Sequence, residues 1–263
     1  MAPLSLALPK PAWTLRGRPL LHWAADSLKD AGCKRIACNA HHHIGAIRAI
    51  ASDVEVIEEK TLLGTGAPLK RIANRIGPEG LLACNADIVT DAPWGMLREG
   101  CLSKGASSAW LLVPHNGGDW TKLYLDMDGR VLLPRGTIGP RGPYQFTGAS
   151  WWSAAMASSI PDDCFDIRDF LAQASGHYGI VVEPFHWLEI GSPSQLISAV
   201  AALAPQDEGR TPGCYIHPEA QTDAMIYRCI LGPGVTLDKG IKDRDAFWYV
   251  DGEGQKRVEL ADL

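Results

Sequence analysis

Residues 81–91 read LLACNADIVTD. The four apolar residues Leu81 to Cys84 have the length of a buried strand, and the run stops abruptly at Asn85, Ala86 and Asp87. Open α/β sheets gather ligands outside the carboxyl ends of their strands, so a polar cluster there marks both the end of a strand and the mouth of a site. A carboxylate at Asp87 suits Mg2+ held against phosphate oxygens, and it equally suits a strand-end cap or a turn. Asp91 is expected to cap the next helix or to sit in a turn.

Upstream, PLLHWAADSLKDA (19–31) places Leu20, Leu21, Ala24, Leu28 and Ala31 on one helical stripe, with Pro19 at its start and Gly32 at its end. RIACNA (35–40) is apolar enough for a buried strand, and Asp53 to Glu59 predicts a second one. Pro68 to Ile76 repeats apolar residues at helical spacing. Downstream, Ser108 to Pro114, Tyr144 to Ser150 and Tyr178 to Val182 predict strands. Ser153 to Ile160, Ile167 to Ala174 and Pro193 to Ala204 predict helices. Lys122 to Leu133, with Asp128 and Gly129 at a turn, predicts a hairpin folded over one side of the sheet. Strands and helices mainly alternate, which favours a three-layer α/β fold around a mixed, mostly parallel sheet.

With 263 residues the chain can bury roughly three quarters of its extended surface, enough for one large domain with an annex. We place the domain at residues 1–204. Residues 205–263 then form a linker, PQDEGRTPG, and a short irregular or partial β-helix-like annex in which YIHPEA and CILGPGVTL supply inward-facing apolar turns. The annex is expected to pack on the main domain or on another subunit. The formal charge of −5 offers no field for a nucleic-acid backbone. The seven Cys form no CxxC pair, which fits a reduced, cytoplasmic protein. No segment has the apolar length of a membrane span, and MAPLSLALPKPAW lacks the basic leader and cleavage pattern of a secretory signal.

Other polar residues each admit two readings. Glu189 in HWLEIGSP stands between apolar residues before a helix, so it needs a metal, a salt bridge or solvent. Paired with Asp87 it would suit phosphoryl transfer, where positive groups neutralise developing charge. Gly64, Thr65 and Gly66 precede a helix carrying Lys70; small residues there permit close approach of a ligand, or simply a tight loop. The stretch lacks the GxxxxGK of a phosphate-binding loop. Lys10, held between Pro9 and Pro11, can act as a point charge for phosphate or remain solvated. Arg16 and Arg18 are read as surface residues. Three consecutive histidines, His41 to His43, diverge too much for one tetrahedral metal site, so loop packing or proximity to substrate is expected. Trp13, Trp151, Trp152 and Trp187 are candidates for an apolar wall. No nucleophile with its activating partners points to hydrolysis.

LPKPAWTLRGRPLLHW, LLGTGAPLK, LLACNADIVTD, YQFTGASWWS and HWLEIGSPSQL together, in this order and spacing, resemble the sugar-1-phosphate nucleotidyltransferase family, of the mannose-1-phosphate guanylyltransferase-like or N-acetylmuramate-1-phosphate uridylyltransferase-like kind. The resemblance covers nearly all of residues 3 to 204. It implies a Rossmann-like nucleotidyltransferase fold and a Mg2+-dependent reaction of a nucleoside triphosphate with a sugar 1-phosphate, giving a nucleotide-sugar and pyrophosphate. By the same resemblance Lys10 contacts phosphate and Asp87 binds metal. Gly64, Thr65, Gly66 and Asn85 belong to the nucleotide site, and Gly148 and Glu183 to the sugar site. Glu189 falls where such proteins place a second metal-binding aspartate, one methylene longer here. Members of the family also begin with an apolar strand and a GxGTR-like loop ahead of the segment matching Pro3 to Pro11, which this sequence lacks. The resemblance therefore implies either an enzyme in which that loop is restored or compensated, or a noncatalytic descendant that binds a nucleotide-sugar or serves a regulatory or structural partner.

Overall fold

The computed structural model describes residues 8–76, 79–118, 120–133, 136–203 and 213–262. Most of the 205–213 linker lies outside these residues, as does the start of the chain through Ala7. A short hairpin comes first: β1 (Thr14–Leu15) and β2 (Arg18–Pro19) are joined by Arg16 and Gly17, both at positive φ, the geometry of a two-residue turn that matches strand twist. Helix α1 (Leu20–Asp30) follows, burying Leu20, Leu21, Ala24 and Ala25, and Gly32 at φ +88 ends it. Next come β3 (Ala37–Ala40), α2 (Ile44–Ile50) and β4 (Glu55–Glu58), with β3 and β4 paired in parallel. Helix α3 (Gly66–Ile76) leads to β5 (Leu81–Cys84), β6 (Ile88–Thr90), α4 (Trp94–Ser103) and β7 (Ser108–Pro114). The remaining elements of the main body are β8 (Leu123–Leu125), β9 (Arg141–Trp152), α5 (Ala154–Ser159), α6 (Ile167–Leu171), β10 (His177–Val181), β11 (Trp187–Glu189) and α7 (Pro193–Leu203).

The central sheet runs in the order β10, β7, β9, β5, with β8 also on β9. β10 is parallel to β7, and β9 is antiparallel to both β7 and β5, so β5, β7 and β10 share one direction and β9 opposes them. Alternation along β7 divides the core. Trp110 and Leu112 pack with Leu69, Met156 and Leu171 on one face, while Ala109, Leu111 and Val113 pack with Trp94 and Leu97 on the other. Helices therefore cover both faces, and the fold is α/β in three layers with mixed, mostly parallel strands.

The hairpin of residues 122–133 lies over one face, as expected. Leu123 pairs with Tyr144 on β9 while Arg130 bridges Tyr178 on β10, beyond β7, and Leu123 and Leu125 pack against Trp110 and Leu112 of the face between them. Two helices went unforeseen. α2 has only one buried residue, Ile47, and α4 begins behind Pro93 with no side-chain cap. Asp91 caps no helix; its N–H donates to the His186 carbonyl as part of the approach of β11 to β6.

Beyond residue 213 the chain winds through short strands: β12 (Tyr215–Ile216), β13 (Gln221–Thr222), β14 (Met225–Tyr227), β15 (Ile230–Leu231), β16 (Thr236–Leu237), β17 (Lys242–Arg244), β18 (Ala246–Asp251) and β19 (Gly254–Glu259). β12, β13 and β14 pair in parallel with β15, β16 and β17, as stacked coils do, around Ile226, Leu231, Val235 and Leu237. Tyr215, Ile230 and Phe247 join Trp13, Leu20 and Leu196 in one cluster, fastening these coils to the main body. Among the described residues no helix is long and apolar enough to cross a membrane.

Candidate functional site

Two prolines set Lys10. Pro9 precedes and Pro11 lies within a short 3-10 turn, closed by Ala12 N–H to the Pro9 carbonyl and Trp13 N–H to the Lys10 carbonyl. The turn aims the Lys10 ammonium at the end of β5, where Nζ lies 3.3 Å from Asp87 Oδ2. Asp87 is held by its own backbone. Its carbonyl accepts from Ile190 N–H at 2.8 Å, and Asn85 N–H donates to the Gly148 carbonyl at 3.0 Å.

The antiparallel ladder of β6 and β11 sets Glu189 opposite Ile88, next to Asp87 in the chain. Burial pushes the Glu189 carboxyl above its usual range and the Asp87 charge pushes it further, with Lys10 opposing both. A carboxylate pair under mutual repulsion suits a divalent cation. No cluster of three or more His, Cys, Asp or Glu ligands occurs among the described residues, so substrate oxygens or water would complete the shell. That division of ligands is characteristic of Mg2+.

Lys10, Gly64, Thr65, Asn85, Asp87 and Gly148 surround the mouth of a cavity of about 560 Å³. Its depth is apolar, walled by α1, α3, β3 and β5, with Trp110, Phe146 and Trp152 among its lining. Gly148 is at φ +81, and a Cβ there would lie 3.1 Å from Asn85 Nδ2, so the bend of β9 brings its backbone against the 85–87 loop.

The 64–66 loop has a packing role as well, and the remaining expected residues lie elsewhere. A Cβ on Gly64 would run into the Phe165 carbonyl and one on Gly66 into Cys164. Thr65 N–H donates to Phe165 O at 2.7 Å, and Thr65 Oγ1 accepts from Ile167 N–H. Packing against residues 164–167 therefore accounts for both glycines, whatever else the loop contacts. Lys70 pairs with Asp162 at 3.0 Å. Glu183 does not line the cavity. Of the four tryptophans, Trp152 lines it, Trp13 and Trp151 are buried in other clusters, and Trp187 packs on Trp120. His41 bonds the Glu59 carbonyl through Nδ1, and His43 takes φ +53 before α2, so this row is built into a loop. Pattern reading missed Trp110, Phe146 and Ser150 in the lining; they alternate on paired strands, but only the pairing shows which face opens inward.

No protein-family model matches the chain. The mannose-1-phosphate guanylyltransferase catalytic subunit beta of Drosophila pseudoobscura pseudoobscura is 22% identical over 262 residues, spanning 92% of this chain and 68% of that protein. Among solved structures, HddC from Yersinia pseudotuberculosis matches with a TM-score of 0.64 at 22% identity, over 75% of this chain and 91% of its own. The same protein complexed with GMP-PN gives the same values. A putative glucose-1-phosphate thymidylyltransferase from Bacillus anthracis matches at 0.64 with 14% identity, over 80% of this chain and 92% of its own. These likenesses are ones of fold: the chain shares the three-layer α/β architecture of the proteins it resembles.

Proposed function

We propose that this protein transfers a nucleotidyl group from a nucleoside triphosphate to a sugar 1-phosphate, releasing pyrophosphate. The observation that carries the reading is the meeting of Lys10 with Asp87, beside Glu189, at the mouth of a large cavity. The names of the similar proteins, which include a guanylyltransferase and a structure bound to GMP-PN, support the substrate class.

In this reading the sugar phosphate oxygen attacks the α-phosphorus in line, the new P–O bond forms as the bond to the pyrophosphate oxygen breaks, and pyrophosphate leaves. The nucleophile is already ionised, so no general base is required. Lys10 leaves Asp87 for a phosphate oxygen and stabilises the charge that develops there. Asp87 and Glu189 would hold Mg2+, which would supply positive charge against the phosphate oxygens. Asn85 and Gly148, in contact across the mouth, orient the groups that enter it.

A second reading, a protein that binds a nucleotide-sugar without turnover, is favoured by one feature: most of the cavity's lining is apolar, contributed by α1, α3, β3 and β5, which suits the seating of a ligand more than the neutralising of phosphate charge. The test is to incubate the chain with Mg2+, a panel of nucleoside triphosphates and several sugar 1-phosphates, and to measure pyrophosphate and nucleotide-sugar together. Equimolar formation of both, lost in Asp87→Ala, supports transfer. Saturable nucleotide-sugar binding with neither product supports the second reading.

A further inference from the structure

Three corners of the carboxyl-terminal coils repeat one geometry. Gly213, Arg228 and Asp245 take positive φ, +66, +52 and +51, and each is followed by a small residue that packs into the core of the coils: Cys214, Cys229 and Ala246. The registers Tyr215↔Ile230 and Ile230↔Phe247 put these three side by side, one on each successive coil. Cys229 and Ala246 are fully buried, whereas Cys214, on the first coil, is half-buried. Ala246 shows that a small apolar side chain fills such a corner, so packing alone does not call for two adjacent thiols.

The two sulfurs engage each other. Cys229 N–H donates to Cys214 Sγ at 3.2 Å, and the Cys214 thiol is hydrogen-bonded with the Cys229 sulfur. Tyr215 N–H donates to the Cys229 carbonyl at 2.9 Å, which fixes the two backbones against each other. Neighbouring parallel strands lie about 4.8 Å apart, within the span of about 4.4–6.8 Å between Cα atoms that a disulfide bridges. Both cysteines are thiols in the structure. The hydrogen bond with Cys214 holds the Cys229 thiol below its usual pKa against the effect of burial, and the same bond together with burial pushes Cys214 up. At Cys33, Cys38, Cys84, Cys101 and Cys164 burial raises the thiol, so of the seven cysteines, all within the described residues, only Cys229 is shifted toward the thiolate.

We propose that Cys214 and Cys229 are a dithiol–disulfide couple, which a small-molecule disulfide such as oxidised glutathione closes and glutathione reopens, fastening the first coil to the second. Cys214, the half-buried member, attacks one glutathione sulfur; the S–S bond of the oxidant breaks, and one glutathione thiol leaves with the Cys214 proton. Cys229 then attacks the Cys214 sulfur of this mixed disulfide, the bond to glutathione breaks, and the second glutathione thiol leaves with the Cys229 proton. Two protein thiols are oxidised and one glutathione disulfide is reduced to two thiols, with no other reactant. Cys229 is already held against the sulfur that it attacks, so closure outpaces a second encounter with glutathione. The bridge joins residues 15 apart in the chain and lies next to Tyr215, whose ring packs on Trp13 at 4.9 Å and whose hydroxyl oxygen accepts from Thr14 N–H at 3.1 Å. The oxidised form therefore stiffens the coil that ties the annex to the segment following Lys10.

Disulfide mapping of the full chain tests this without any substrate, so its outcome is independent of the proposed reaction. The reduced chain is equilibrated under native conditions in glutathione buffers of rising oxidised fraction, quenched with an alkylating reagent and digested. The first product expected is a peptide pair joining Cys214 to Cys229, with the other cysteines alkylated, and it disappears when reduced glutathione is restored. Cys229→Ala, which puts at the second corner the residue already present at the third, should stop at glutathione on Cys214, and Cys214→Ala should leave the buried Cys229 without glutathione. In the bridged chain the amides of Tyr215 and His217, which bond the second coil, should exchange about 10-fold or more slowly than in the reduced chain. The proposal is overturned if the unaltered chain accumulates the mixed disulfide at Cys214, if another pair of cysteines closes first, if the bridge forms only in denaturant, or if it leaves those two amides exchanging as fast as before.

Discussion

Lys10 and Asp87 meet at 3.3 Å across 77 residues of sequence, and neither side chain is more than a third exposed. In the absence of substrate the ammonium occupies part of the coordination sphere that Mg2+ would use. Lys10→Met removes that competitor, so Mg2+ alone should bind more tightly, by calorimetric titration, while nucleotidyl transfer slows by about 100-fold or more through loss of charge stabilisation. A purely structural ion pair would instead leave Mg2+ affinity unchanged.

Glu189 tests whether carboxylate charge or side-chain length matters. Glu189→Gln keeps the shape and removes the charge, and kcat/KM should fall by about 10-fold or more with a matching rise in the Mg2+ concentration for half-activity. Glu189→Asp should recover most of the loss, because β6–β11 pairing sets the backbone beside Asp87. Equal losses in both variants would assign Glu189 to packing.

Gly64 separates backbone strain from contact. Gly17 and Gly64 have nearly the same φ, +71 and +75, but a Cβ on Gly17 meets nothing within 4 Å whereas one on Gly64 meets the Phe165 carbonyl. Gly17→Ala should therefore cost about 1–2 kcal/mol, the left-handed penalty alone. Gly64→Ala should cost clearly more, read as the difference in urea midpoints.

His177 gives the fold a titration of its own. Its ring is buried against Trp110 and Trp152, Nδ1 is hydrogen-bonded with Ser108 Oγ at 2.9 Å, and Nε2 finds no partner among the described residues. Burial pushes its pKa down to about 3. The folded pKa lies below the unfolded one, so the stability contribution is complete above the unfolded value and is lost as pH falls toward the folded value. Between pH 7 and pH 5 this one group should cost about 2 kcal/mol of folding stability. His177→Phe should remove that part of the pH dependence in urea titrations at the two pH values.

The strands and helices that were legible in the sequence are those buried with a clear period. Leu81–Cys84 and Ser108–Pro114 have the expected bounds because nothing but apolar burial defines them. α2 was invisible because a helix that buries only Ile47 has no stripe to read. The mouth was legible at Asp87, since a polar break after an apolar run is a local signal. That Glu189 lies beside it depends on pairing across about a hundred residues, and that Gly64 and Gly66 are required by Cys164 and Phe165 depends on a contact of the same span. The likeness to known sequences pointed to the loop but not to the packing that explains its glycines.

The most direct test of the proposed reaction is 31P NMR of the chain with Mg2+, a nucleoside triphosphate and a sugar 1-phosphate. The account predicts that the α-phosphate signal moves into a nucleotide-sugar diphosphate as pyrophosphate appears in equal amount, and that both changes vanish in Asp87→Ala. Release of inorganic phosphate in their place, or undiminished nucleotide-sugar formation by Asp87→Ala, would contradict it.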